Sequence, residues 1–343
     1  MSLLEKLKAA GSIKAETVSE SAFFEPKDIC PTSVPIINVA LTGALDGGVH
    51  SGLISVCGPS RHYKSNLSLI MIKAYMSKYK DAVCLFYDSE FGTSIDYLKS
   101  HGIDTDRMIH LPIIHIENLK FDLVKKLEEI KKSDKVIIFV DSVGNLASKK
   151  EVDDAEKESS SQDMTRAKSL KSFYRIITPH LTIKDIPCIV VQHSYDTQEM
   201  YSKQVMSGGT GGMLSSNVVL MLGRSQEKDG TELVGYNFTI NIEKSRYVRE
   251  KSKMTFTVKF NGGISTYSGL LDLALESGHV KKPSNGWYSK VDVTTGEIED
   301  KKYREADTNN KEFWTSILSD KTYHEFVKRK YQLAKPEYEE ESE

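Results

Sequence analysis

From Gly52 onward, compact apolar runs alternate with segments whose apolar residues recur at helical spacing. LISVC (53–57), VCLFYD (83–88), KVIIFVDS (135–142) and PCIVVQHS (187–194) are apolar runs that end in polar residues. Runs with no polar face predict strands buried on both sides. Between them, NLSLIMIKAYMSKY repeats Leu69, Ile72 and Met76 on one helical face. LKFDLVKKLEEIKK likewise aligns Leu119, Leu123, Leu127 and Ile130, with Asn118 as its predicted N-cap. The alternation predicts an α/β fold with a mostly parallel central sheet covered on both faces. NVVLML, GYNFTINIE and MTFTVKF follow with too little chain between them for helices. The sheet is therefore expected to end in antiparallel strands.

At the N-terminus, Ser2 and Glu5 have capping-box spacing, Leu3, Leu4 and Leu7 share a face, and Gly11 is a stop. So short a helix cannot stabilise itself in water and must dock, on its own body or on a neighbouring subunit. Two segments break the strand–helix rhythm. Residues 144–166 carry mixed charge and three consecutive serines, and residues 195–212 end in Gly208, Gly209, Gly211 and Gly212, which argue against a packed ending. Both start just past predicted strand ends, where open sheets place their ligands. After about residue 270, LLDLALESG, KEFWTSIL and YHEFVKRKYQLA predict helices, and NGWYSKVDVTTGEIEDKKYRE predicts a hairpin around Thr295-Gly296. The expected division is an N-terminal element (1–35), a core (36–269), a small C-terminal α+β domain (270–332) and an acidic tail (333–343).

Composition narrows the class. The 343 residues hold 46 Lys plus Arg against 48 Asp plus Glu, with 39% hydrophobic residues. That excludes a disordered basic protein, a collagen-like fibre and a disulfide-stapled scaffold. It does not exclude nucleic-acid binding, since the tail EYEEESE can offset a basic groove. Cys57, Cys84 and Cys188 sit in strand-like runs, and with Cys30 they are expected to be buried thiols of a reducing compartment. No CxxC occurs, and the histidines lack zinc-ligand spacing. No window approaches ~18 uninterrupted apolar residues, so a soluble cytoplasmic chain without a membrane partner is expected.

The sharpest chemistry is GPSRHYKS, Gly58 to Ser65, between a strand and an apolar helix. A phosphate-binding loop needs backbone N–H groups around an anion, a helix N-terminus, a lysine and a hydroxyl for Mg²⁺. Gly58, Lys64 and Ser65 meet those needs, whereas Tyr63 stands where glycine is usual. An ordinary basic turn is the competing reading. Asp141 ends one apolar strand, the setting for an acid that supports Mg²⁺, and Glu90 lies just past another, where it can take a proton from an attacking water. A dinucleotide fold lacks its GxGxxG after any predicted strand. GGTGG (208–212) precedes a strand instead and reads as a hinge.

With the site placed, the chain resembles the RecA-type strand-exchange recombinases, most closely the UvsX recombinases of T-even phages. The segments that carry the resemblance include LTGALDGGVHSGLISVCGPS, CLFYDSEFG, DYLKSHGID, IIFVDSVGNLASKKE, SQDMTRAKSLKSFYRIITP, TQEM with SGGTG, and SGLLDLALESG with NGWYS. UvsX-type sequences have an aromatic residue at the position of Tyr63, which leaves open how the ring is accommodated. The resemblance implies a P-loop ATPase in which Gly58, Pro59, Ser60, Arg61, His62, Tyr63, Lys64, Ser65 and Asn66 hold ATP. Ser65 and Asp141 would serve Mg²⁺, Glu90 would be the general base, and Tyr97 would stack on adenine. Lys244 and Arg246 would reach ATP across a subunit boundary. His193, after Gln192, would sense the γ-phosphate, its alternative being a histidine that caps a strand end.

The irregular segments match the family's DNA-binding loops, around 147–163 and 195–211. Lys149, Lys150, Lys203 and the backbone at Gly208, Gly209, Gly211 and Gly212 would meet phosphates, while Met200, Tyr201 and Met206 would insert between bases. Mobile surface loops without a ligand are the alternative. The N-terminal helix and FFEPKD (23–28) become assembly elements of a helical filament. The C-terminal lobe, with Lys281, Lys282, Lys328, Arg329 and Lys330, would help capture duplex DNA. UvsX-type chains commonly run further with acid-rich sequence, so this one is expected to be shorter or truncated. The implied function is an ATP-dependent recombinase of the host-cell cytoplasm that coats single-stranded DNA and pairs it with a homologous duplex. A phage mediator protein and a single-strand binding protein are the implied partners. A hexameric helicase on the same core, and a non-catalytic ATP-gated DNA-organising protein, are the alternatives.

Overall fold

The computed structural model describes the chain except residues 14, 22, 26, 157–164, 198–203 and 335–343. In chain order the first half runs α1 (Leu3–Ala9), α2 (Pro35–Thr42), β1 (Gly52–Gly58), α3 (Lys64–Lys78), β2 (Val83–Asp88), α4 (Ile95–Ser100), β3 (Met108–Pro112), α5 (Ile116–Glu129) and β4 (Val136–Asp141). Then come α6 (Lys149–Glu156), α7 (Thr165–Ile183), β5 (Pro187–Asp196), β6 (Gln204–Met206), α8 (Thr210–Ser215), β7 (Val218–Asp229), β8 (Glu232–Ser245), β9 (Lys253–Lys259) and β10 (Gly263–Ile264). The C-terminal part holds α9 (Leu270–Glu276), β11 (Val280–Ser284), β12 (Trp287–Lys290), β13 (Tyr303–Arg304), α10 (Lys311–Ser319) and α11 (Lys321–Tyr331).

The large sheet has the order β10-β9-β8-β7-β1-β5-β4-β2-β3, with β6 paired to β5. Its strands from β7 across β1 to β3 are parallel, and β7 to β10 pair antiparallel, as the sequence predicts. Alternation along β4 explains why helices cover both faces. Ile137 and Phe139 join the core beneath α2 and α3, while Ile138 and Val140 join the core beneath α5 and α7. The C-terminal helices add Phe313, Trp314, Tyr323 and Val327 to the first of these cores. Gln332 Nε2 donates to Thr42 O at 3.0 Å, tying the end of this part to α2.

Several expectations change. The N-cap of α5 is His115, whose Nδ1 accepts from Asn118 N at 3.2 Å, so the helix starts before Asn118 and buries Ile116 as well. Residues 144–166 contain a helix, α6. The C-terminal hairpin around Thr295-Gly296 is present as a Val291–Ile298 bridge with β12 against β13. A second turn at Gly286, with φ of 75°, precedes it and joins β11 to β12. None of α1's residues is buried, and Leu3, Leu4 and Leu7 face outward. The four cysteines are free and buried, and burial pushes the thiols of Cys30 and Cys57 up to about 11 and about 12. Among the described residues no helix is long and apolar enough to cross a membrane.

Candidate nucleotide site

The loop between β1 and α3 is shaped by two non-glycine residues in the left-handed region, Arg61 (φ 61°) and Tyr63 (φ 62°). Such a conformation costs an L-residue ~1–2 kcal/mol, which is why glycine is usual at the second of them. The Tyr63 ring turns toward the antiparallel end of the sheet, 5.0 Å from the Phe238 ring and 5.6 Å from that of Phe256. That packing accommodates the side chain that a phosphate loop ordinarily lacks. Arg224 Nη1 donates to Arg61 O at 3.1 Å and pins the loop from β7.

Lys64 opens α3 and is only 7% exposed. Its Nζ donates to Pro59 O at 2.8 Å, across the mouth of the loop. Burial holds its pKa below the ordinary lysine value, opposed by the charges of Asp141 and Glu90. Burial pushes the Asp141 carboxyl up to about 6, with the Ser65 hydroxyl bond pulling it down and the Glu90 and Asp88 charges adding to the rise. A buried carboxylate bonded to a hydroxyl, beside further acids and under a loop of N–H donors, is a donor set that suits a hard cation next to a phosphate. Asn66 accepts from the Tyr97 hydroxyl, and the Tyr97 ring lies 4.5 Å from that of His101.

Asp88 and Asp141 are register partners on β2 and β4. Asp88 was not among the sequence candidates. Its Oδ1 accepts from the backbone N–H of Glu90 at 3.0 Å and of Phe91 at 2.9 Å, and its Oδ2 lies 3.1 Å from His110 Nε2. The signal was present in YDSE, an aspartate two residues before the turn it caps. Glu90 Oε1 accepts from Ser142 Oγ at 2.7 Å and faces His193 Nε2 at 3.3 Å. Gln192 and His193, adjacent on β5, point to opposite faces. The Gln192 amide donates to the Tyr174 hydroxyl within the core, so only His193 reaches the site.

Ser60, Arg61, His62, Tyr63, Lys64, Ser65, Asn66, Glu90, Tyr97, Asp141 and His193 line one open cleft of about 290 Å³. Gly58 closes β1 behind it. Lys244 and Arg246 lie elsewhere, on and just after β8. Lys244 Nζ donates to Met213 O at 2.8 Å and Leu214 O at 2.7 Å, and Arg246 is exposed.

The candidate DNA residues separate. Lys149 and Lys150 are exposed at the start of α6. Met200, Tyr201 and Lys203 lie outside the described residues, as does the acidic tail from residue 335. Met206 is 6% exposed and packs in a small core with Cys57, Val219 and Met221, so in this structure it does not present itself to a base. The expectation of an unpacked glycine segment also needs correction. Gly208 and Gly209 adopt left-handed φ, but Gly211 and Gly212 are buried in α8. A Cβ on Gly211 would stand 2.9 Å from Lys171 Cα, so glycine is what lets α8 lie against α7. In the C-terminal part Lys281 and Lys282 are exposed on β11, whereas Lys328 pairs with Asp46 at 3.5 Å and Lys330 with Glu276.

Residues 17–265 match a family model described as the RecA N-terminal domain. Residues 267–327 match one described as the C-terminal domain of the bacteriophage T4 recombination and repair protein. The chain is 50% identical over 331 residues to the recombination and repair protein of Enterobacteria phage T4, covering 95% of this chain and 85% of that one. It is 27% identical over 269 residues to the RecA protein of Streptomyces rimosus, with 77% of this chain and 69% of the relative covered. To the RecA protein of Cutibacterium acnes it is 24% identical over 270 residues, covering 77% and 75%.

Proposed function

The chain belongs to the RecA family, and from that membership we propose that it is an ATP-dependent recombinase that coats single-stranded DNA and exchanges it into a homologous duplex. The observation that carries the reading is the convergence of Lys64, Ser65, Asp141, Glu90 and His193 on one cleft at the C-terminal edge of the parallel strands. The left-handed loop and Lys64 would hold the triphosphate. Mg²⁺, bound on the side of Ser65 and Asp141, would neutralise charge on the terminal phosphates. Tyr97 borders the cleft where a purine ring would lie.

Glu90 takes the proton of the attacking water. Ser142 and His193 fix its carboxylate, and Asp88 fixes its backbone. His193 sits on β5, whose far end pairs with β6 just before the glycines of the second irregular segment, so a phosphate contact at His193 has a short path to the DNA-binding loop. Lys244 and Arg246, outside their own cleft, would serve that of a neighbouring subunit in a filament, where positive charge stabilises the transferring phosphoryl group. The exposed leucines of α1 would supply the filament contact. A mediator protein and a single-strand binding protein in the host cytoplasm complete the proposed setting.

The test is ATP hydrolysis with Mg²⁺, with and without single-stranded DNA. Hydrolysis should rise when DNA is added. Glu90→Gln should keep ATP binding and lose ~10²–10⁴-fold in turnover. Turnover unaffected by that substitution would overturn the role of Glu90, and hydrolysis indifferent to DNA would overturn the recombinase reading.

A further inference from the structure

Arg166, at the start of α7, uses its guanidinium on three backbone carbonyls of a single short segment. Nε donates to Leu146 O at 2.8 Å, and Nη2 donates to Gly144 O at 2.7 Å and to Val143 O at 3.2 Å. A fork of fixed N–H directions closing on three carbonyls holds that segment in one geometry. Val143 and Leu146 are each 1% exposed, so their carbonyl groups have little water to replace a lost donor.

The clamped segment follows directly on Asp141 and Ser142, and it backs His193, which lines the candidate cleft. The His193 ring leans on Gly144 so closely that a Cβ there would stand 2.5 Å from His193 Cδ2. His193 Nε2 and Ser142 Oγ both address Glu90 Oε1, at 3.3 Å and 2.7 Å. The other end of the clamp is different in kind. Arg166 is the second residue of α7, where the chain returns from the first irregular segment. The departing arm is anchored too: Glu117 at the start of α5 accepts from Lys149 N at 2.8 Å and from Ser169 Oγ at 2.8 Å.

Resting on the recombinase reading above, we propose that Arg166 is a positioning residue that transmits DNA occupancy of the first irregular segment to Glu90. DNA that shifts the start of α7 moves the guanidinium and, with it, the Val143–Leu146 segment that follows Ser142 and backs His193, the two residues that address Glu90.

The test uses the full chain, Mg²⁺-ATP and poly(dT). In Arg166→Ala, affinity for ATP and for poly(dT) should stay within ~3-fold of the wild type, while stimulation of hydrolysis by poly(dT) falls ~10-fold or more. Arg166→Lys keeps the charge but not the three-pronged fork, so it should show the same loss. Full stimulation in both variants overturns the proposal. Loss of poly(dT) affinity in the alanine variant, restored by lysine, also overturns it, since that is the behaviour of a direct phosphate contact. Should the alanine variant fail to fold, Arg166→Lys decides on its own, because it keeps the charge and most of the side chain but not the fork. Normal stimulation there contradicts the proposal. A wild-type chain that poly(dT) does not stimulate overturns the recombinase reading itself, and this role with it.

Discussion

Tyr63 shows how two local effects of opposite sign settle into one position. Its left-handed backbone costs ~1–2 kcal/mol, and replacing it by glycine removes that cost. The same replacement removes a half-buried ring from the Phe238–Phe256 cluster. Removing a fully buried aromatic costs ~3–5 kcal/mol, so a half-buried one is worth about half of that and outweighs the relief. Tyr63→Gly should therefore be destabilised by ~0.5 kcal/mol in urea unfolding, and a gain in stability would contradict this balance. His50 offers a pH test. It is 3% exposed, its Nε2 has no hydrogen-bond partner among the described residues, and burial pulls its pKa from 6.5 down to about 4. On acidification the unfolded chain takes up this proton first, so His50's contribution to stability falls from about pH 6.5 and levels off near pH 4. His50→Gln should flatten the slope of unfolding free energy between these values, and an unchanged slope would exclude His50 as a source. Lys64, Ser65, Glu90 and Asp141 were legible as residues because spacing and strand ends carry them. Asp88, Ser142 and Arg166 were not singled out, since their partners lie across strands or many residues away.

At the scale of elements, composition misled where glycine was read only as a loop former. Gly211 and Gly212 serve close helix approach, which depends on what stands opposite and is invisible along one segment. Gly211→Val would force side-chain atoms onto Lys171. A loss of ~1–3 kcal/mol by overpacking is expected. The folded variant should also bind DNA more weakly in the presence of nucleotide, with ATP affinity intact. Wild-type stability would show that α8 moves freely. The early start of α5 has a similar lesson: His115 caps the helix through its ring nitrogen, a role more commonly filled by Asn, Asp, Ser or Thr. The central strands β1, β2, β4 and β5, by contrast, were legible almost to the residue, because all-apolar runs have few other places to go. The partly exposed edge strand β3 was not read, and β7 runs on past NVVLML to Asp229.

For the molecule as a whole, the parallel half of the sheet builds the candidate nucleotide cleft and the antiparallel half supplies the packing for Tyr63 and the strand that carries Lys244. Sequence order predicted that architecture, since helices alternate with strands only in the parallel half. It did not predict how Lys244 bonds the C-terminal carbonyls of α8, just beyond the glycines of the second irregular segment. The central claim is that triphosphate in the cleft governs the hold on single-stranded DNA. The direct measurement is the affinity for a fluorescent oligo(dT), by anisotropy, without nucleotide and with Mg²⁺ plus a non-hydrolysable ATP analogue. The account predicts binding ~5–150-fold tighter with the analogue, and equal affinity under the two conditions would contradict it.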